Sequence, residues 1–258
     1  MSTNKQRRQA AQRHLQRQLE RRAELAKKRR RNVAIGATVA AVVVVVAAAL
    51  LITGVFTGDD KDTTASADTG GACTYTPADT SKNPNLTDVG TPSGDVPTTG
   101  TQAVTMSTSA GDIGLTLDQA NAPCAAGAIV YLAQQKFFDG TTCHRETNSP
   151  GLQVLQCGDP SGTGSGGAAF DYPTQVTGKE TYPRGTIAMA NAGQGTDGSQ
   201  FFLVYGDSQL QPKYTVVGKI DDAGLAVLDA IAANGITGGS ADGAPTQPVT
   251  ITSMTAVQ

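Results

Sequence analysis

Val33 to Phe56 is a run of 24 residues without a single charge, and it divides this 258-residue chain into parts that cannot share one fold. As a helix rising ~1.5 Å per residue, the run reaches ~36 Å, enough to cross a hydrocarbon core with some tilt. It is longer than the ~7–15 apolar residues usual in a cleaved secretory signal. The residues before it hold 12 of the chain's 20 Lys+Arg and only two of its 22 Asp+Glu (Glu20 and Glu24), a local charge of +10. The rest of the chain carries −12, so the near-neutral total hides a strong segregation. Basic residues directly before an apolar span favour anchoring with the positive end inside, over a nucleic-acid patch. The expected arrangement is a single-pass membrane protein. Residues 1–32 form a basic cytoplasmic segment, 33–56 one transmembrane helix, and the C-terminal bulk is extracytoplasmic. The basic segment could also recruit anionic lipid or a cytoplasmic partner. No nucleic-acid partner is expected.

Residues 57–100 are rich in Thr, Ser, Asp, Gly and Pro, a composition that buries too little apolar surface to offset ordering entropy. They read as a flexible linker, with Cys73–Pro77 the one patch suited to dock on a domain. From about Thr101 the pattern becomes globular. Ile113, Leu115 and Leu117 alternate with polar or small residues, as in a half-buried strand. Pro123 opens a helix in which Ala125, Ala128, Ile129 and Leu132 share a face. Short strands are expected at 142–145, 154–156, 186–190, 201–205, 215–220 and around 249–254. A second helix over 223–233 places Leu225, Leu228, Ile231 and Ala232 on one side. Many short strands with Gly/Pro punctuation and only two helices predict a mainly β domain, a closed barrel capped by helices.

Several chemistries are excluded. Only two His occur, one of them in the basic segment, so a site built on several His ligands is ruled out, and no metal or cofactor is expected. Gly193, Gly195 and Gly198 match a dinucleotide fingerprint literally, but a strand pattern follows where a helix is needed. The Gly-rich stretch 158–167 lacks the Gly-Lys-Ser/Thr of a phosphate loop. Ser-His-Asp catalysis would depend on His144, which Arg145 disfavours as an imidazolium, so His144 reads as structural or site-adjacent. What remains is a polar set on strands, Arg145, Gln156, Asn191 and Gln200, near Phe202 and Leu210, with no nucleophile–base pair.

Four segments give this set a context: FFDGTTCHR (137–145), LQCGDPSGTGSGG (155–167), RGTIAMANAGQGTDGSQFFLVY (184–205) and YTVVGKI (214–220). In their order and spacing they resemble the cyclophilin family of peptidyl-prolyl cis/trans isomerases, over about 101–258. The resemblance implies an eight-stranded antiparallel barrel with a helix at each end, acting on proline-containing polypeptides without a cofactor. It implies that Arg145 and Gln156 are catalytic. Phe202 would be the floor of a proline pocket, with Leu210, Val154 and Leu152 beside it. Ala190, Asn191 and Gln200 would lie along the bound peptide. Tyr214 stands where the family often has His, and Cys143 and Cys157 replace its usual aromatic and glycine. A hairpin bringing Arg145 and Gln156 together would bring Cys143 and Cys157 together too, so a Cys143–Cys157 bridge is expected, with Cys73–Cys124 as the second. Four cysteines allow three connectivities, and spacing does not choose among them. The expected function is isomerisation of X–Pro bonds in exported proteins. The alternative is a catalytically weak proline-peptide-binding or chaperone module on the same fold.

Overall fold

The computed structural model describes residues 73–257, apart from Gln194. The basic segment and the expected transmembrane helix lie outside the described residues. Among those described, no helix is long and apolar enough to cross a membrane.

In chain order the elements are β1 (Thr76–Pro77), β2 (Leu86–Thr87), β3 (Thr101–Thr108), β4 (Gly111–Asp118), α1 (Pro123–Gln134), β5 (Arg145–Ser149), β6 (Leu152–Cys157), β7 (Gly167–Ala168) and β8 (Phe170–Pro173). There follow β9 (Thr186–Met189), β10 (Thr196–Asp197), β11 (Phe201–Gly206), β12 (Val216–Ile220), α2 (Asp222–Ala233), β13 (Asp242–Gly243) and β14 (Ile251–Ala256). Nine strands form the main sheet, in the order β13-β5-β6-β11-β9-β12-β4-β3-β14, and all its pairings are antiparallel. The expected count was eight. The additional member is β13, whose two residues pair with Thr147 and Glu146 and carry too short a pattern to read as a strand. Near the two ends of the sheet, backbone bonds join the segment before β5 to the start of β14, from Gly140 N to Ile251 O at 2.7 Å and from Ile251 N to Thr141 O at 2.8 Å.

Both helices form for local reasons. Pro123 at the start of α1 has no N–H to leave unsatisfied, and Ala125, Ala128, Ile129 and Leu132 are fully buried. At α2 the Asp221 carboxylate caps the first turn by accepting from Gly224 N at 2.6 Å. Leu228 and Ile231 are buried there. The strand expected at 142–145 instead runs Arg145–Ser149, with Thr142 only bridged to Thr250. Buried Glu146 and Thr147 interrupt the apolar alternation that would have marked it.

The linker expected over 57–100 is, from Cys73 onward, packed against the domain. β1 pairs with β8, β2 runs parallel to β7, and Cys73 is bonded to Cys124 on α1. Tyr75 donates to Cys124 O at 2.7 Å and meets Phe170 and Tyr172 edge-on, at 5.7 and 5.3 Å between ring centroids. A side chain at Gly127 would collide with Val96 and the Tyr75 hydroxyl, so the small residue on α1 lets this strap pass. A few anchors and borrowed strand pairing hold a segment whose composition reads as tether.

Two apolar clusters result. The larger fills the space between the sheet and the helices. The smaller comprises Val154, Tyr182, Ala188, Phe202 and Val204, with Leu152, Ala190, Leu210, Tyr214 and Val216 packed against it. Alternation along β11 separates neighbours: Phe201 enters the large core against Phe138, at 5.7 Å between centroids, while Phe202 joins the small cluster.

Candidate active site

The small cluster opens into a cleft of about 330 Å³ lined by Arg145, Leu152, Val154, Gln156, Ala190, Asn191, Phe202, Leu210 and Tyr214. Its floor is aromatic. Phe202 is 5% exposed and meets Tyr214 edge-on at 5.5 Å between centroids, with Tyr182 behind both. Tyr182 fixes the Tyr214 backbone at both ends: its hydroxyl donates to Tyr214 O and accepts from Tyr214 N, each at 3.0 Å.

The polar rim is built by strand register. Arg145 on β5 lies across from Gln156 on β6, which in turn lies across from Phe202 on β11. Arg145 Nη1 donates to Gln156 Oε1 at 3.2 Å, and Gln156 Nε2 donates to Gln200 Oε1 at 2.8 Å. Gln200 Nε2 then donates to the carbonyls of Gly164 and Gly166, at 3.1 and 2.8 Å. One line of amides thus runs from the guanidinium to the Gly-rich loop. Asn191 turns its side chain inward, donating to Asp197 Oδ1 at 3.2 Å and Lys213 O at 2.9 Å. It shapes its own backbone segment.

The Gly-rich stretch is organised around Asp159. That carboxylate is fully buried and accepts from Ser161 N and Oγ, Gly164 N and Gly166 N, at 2.7–3.1 Å. Burial alone would raise its pKa, but these donors hold it below the ordinary carboxylate value. The loop's inward amides point at a side chain of the same loop, in keeping with the absence of a phosphate-loop signature. Beside this loop a second, wider cleft of about 560 Å³ shares Gln156, Ala190 and Asn191 with the first, and Ala78 and Leu86 of the strap line it.

His144 is not among the residues lining the smaller cleft. It is half-buried behind Gly164, neither ring nitrogen has a partner among the described residues, and burial lowers its pKa. Both expected disulfides are present, Cys143–Cys157 and Cys73–Cys124. The first sits at the base of the β5–β6 hairpin, beside Arg145 and Gln156. Among the described residues no group of three or more His, Cys, Asp or Glu is placed to hold a metal ion.

One residue of the rim was not legible in the sequence. Asp242 on β13 receives Arg145 Nε at Oδ1 and Arg145 Nη2 at Oδ2, both at 2.8 Å. It lies 97 positions along the chain, in a Ser-Ala-Asp-Gly turn that reads as an ordinary connection. Glu146, the acid next to Arg145 in sequence, faces the opposite way into the core and is fully buried.

The model of the family described as cyclophilin type peptidyl-prolyl cis-trans isomerase/CLD matches residues 103–256. The chain belongs to this family. It is 49% identical over 203 residues to the probable peptidyl-prolyl cis-trans isomerase B of Mycobacterium tuberculosis, covering 73% of this chain and 65% of that one. It is likewise 49% identical over 174 residues to the protein of the same description from Mycobacterium leprae, covering 62% and 59%. The chain thus spans under two thirds of the length of these curated relatives. The crystal structure of a Cryptosporidium parvum cyclophilin type peptidyl-prolyl cis-trans isomerase superposes with a TM-score of 0.54 at 27% identity, covering 62% of this chain and 99% of that one. That protein has also been crystallised in the presence of the dipeptide Ala-Pro.

Proposed function

We propose that the smaller cleft catalyses cis/trans isomerisation of X–Pro peptide bonds. The observation that carries this reading is that an apolar, aromatic-floored cavity and an oriented guanidinium line the same cleft. Rotation about the peptide bond meets a barrier of ~18–20 kcal/mol because the planar amide is resonance-stabilised. No bond need break, so a catalyst has only to hold the twisted amide more tightly than either planar form. In the twisted state the proline nitrogen regains its lone pair, and a fixed, permanently charged donor such as Arg145 can bond it.

A 10⁵-fold acceleration corresponds to ~7 kcal/mol of barrier. One charge-assisted hydrogen bond supplies only ~1.5–3 kcal/mol. The rest falls to the pocket of Phe202, Leu152, Val154, Leu210 and Tyr214, which grips the ring. Gln156 and the Ala190–Asn191 backbone, with Gln200 beside them, hold the flanking peptide. Membership in the isomerase family and the Ala-Pro dipeptide used with the Cryptosporidium parvum relative support a proline-containing substrate.

The substrates in this reading are exported polypeptides. Residues 33–56 hold the protein in the membrane as a single pass, with the basic N-terminus in the cytoplasm and the domain outside. Two disulfides suit an oxidising compartment, which supports that orientation. In this reading the sheet is a closed barrel, and the backbone bonds of residues 140–141 with Ile251 support it. A protease-free isomerisation assay on the purified chain tests the activity. The expected result is acceleration that Arg145→Ala removes. Binding of proline peptides without acceleration would instead leave the non-catalytic module.

A further inference from the structure

We propose that Asp242 is the positioning residue for the Arg145 guanidinium, an inference that rests on the isomerase reading of the cleft. A long, flexible arginine at a cleft rim is an effective transition-state donor only if its plane is set before the substrate arrives. Three of its five N–H groups are committed within the protein: Nε and one Nη2 hydrogen to the two oxygens of Asp242, and one Nη1 hydrogen to Gln156. The Asp242 pair is bidentate and fixes the guanidinium plane, whereas the Gln156 bond fixes only one corner. The two remaining N–H groups are those available to a ligand in the cleft.

Asp242 is itself held firmly. It pairs with Thr147 and its neighbour Gly243 pairs with Glu146, so β13 is registered to the strand that carries Arg145. Ser240 closes the turn, its hydroxyl donating to Asp242 O at 2.9 Å and accepting from Asp242 N at 3.2 Å. A carboxylate also softens the positive charge that the twisted amide would feel. Orientation and charge therefore make opposite demands at this position, and the two-pronged geometry indicates that orientation governs.

The side chains of the pair are 38% and 55% exposed, so the ion pair contributes little to global stability. That separates positioning from a structural role. In the full-length chain, Asp242→Ala is expected to lower kcat for a proline peptide by about 10- to 100-fold, with KM within about twofold and the thermal midpoint nearly unchanged. Asp242→Glu should recover part of the rate. Asp242→Asn, which can accept one bond but not two, should lie between wild type and Asp242→Ala. An independent readout is the Arg145 Nε–H resonance, expected to exchange slowly with water in the wild type and rapidly in Asp242→Ala. Unchanged kcat in Asp242→Ala, or Asp242→Asn faster than wild type, overturns the proposal. Equal Nε–H exchange in wild type and Asp242→Ala overturns it as well. A wild-type chain with no isomerase activity refutes the activity reading instead, and the Nε–H measurement still decides whether Asp242 sets the guanidinium.

Discussion

Arg145 and Gln156 are register partners across the β5–β6 hairpin, and the bond from Nη1 to Oε1 places a charged donor at one end of an amide relay that continues through Gln200. Strand pairing, not chance side-chain reach, puts the donor over the apolar cleft.

Arg145→Lys keeps the charge and loses the planar fork. An ammonium cannot engage both Asp242 oxygens side-on while also reaching Gln156 and a proline nitrogen. The expected outcome is a fall in kcat/KM of at least about 30-fold, read in a protease-free X–Pro assay. Activity within twofold of wild type would show that charge alone suffices.

Phe202→Ala removes the cleft floor and leaves a void beneath Tyr182 and Tyr214. Truncating a buried Phe costs about 3–5 kcal/mol. Because Phe202 lies in the smaller cluster at the mouth of a cleft, a value near the low end is expected, measured by denaturant unfolding. Affinity for proline peptides should fall together with stability. Phe202→Leu, which refills most of the volume, should restore stability more than affinity.

Glu146 gives the domain a pH dependence of defined sign. Its carboxyl is fully buried, Oε1 accepts only a 3.3 Å bond from Tyr205, and Oε2 has no partner among the described residues. Burial raises its pKa above the ordinary carboxylate value. A raised folded-state pKa means that the native state binds the proton more tightly than the unfolded state. The stabilising contribution is therefore complete below the ordinary Glu pKa and is lost as pH rises through the folded value. Glu146→Gln should raise the thermal midpoint at pH 7 by a few degrees, roughly the effect of ~1 kcal/mol in a domain of this size. It should give no gain near pH 4. An equal shift at both pH values would show that ionisation is not the cause.

The Cys73–Cys124 bridge spans 51 positions, a loop whose closure stabilises by roughly 4 kcal/mol in the chain-entropy account. Replacing both cysteines by Ser should lower the unfolding midpoint and expose residues 73–100 to limited proteolysis. No strap residue lines the smaller cleft, so turnover of a short proline peptide should stay within about twofold. Ala78 and Leu86 do line the wider cleft, and longer peptides should feel the change more.

Much of this was readable in advance, for identifiable reasons. The alternation of Ile113, Leu115 and Leu117 and the stripe of Ala125, Ala128, Ile129 and Leu132 report burial directly, and β4 and α1 lie there. The nine cleft residues lie in or beside segments that keep a family's order, and the fold brings them to one cleft, five from β5, β6 and β11 and four from the connections between strands. Three features were opaque. Asp242 acts through a contact across 97 positions and carries no local pattern. β5 was displaced because Glu146 and Thr147 are polar residues in the core. The strap was hidden because strand pairing and a disulfide, rather than apolar content, bind it.

Asp159 gives the Gly-rich loop a resident counter-charge. In loops that cradle phosphate, converging amides wait for an anion from solution; here the anion is covalently part of the loop. Occupied on their inner side, these backbone groups can offer two outward carbonyls to Gln200 as fixed points. A stretch whose composition suggests slackness thereby becomes the rigid abutment against which the whole relay is braced.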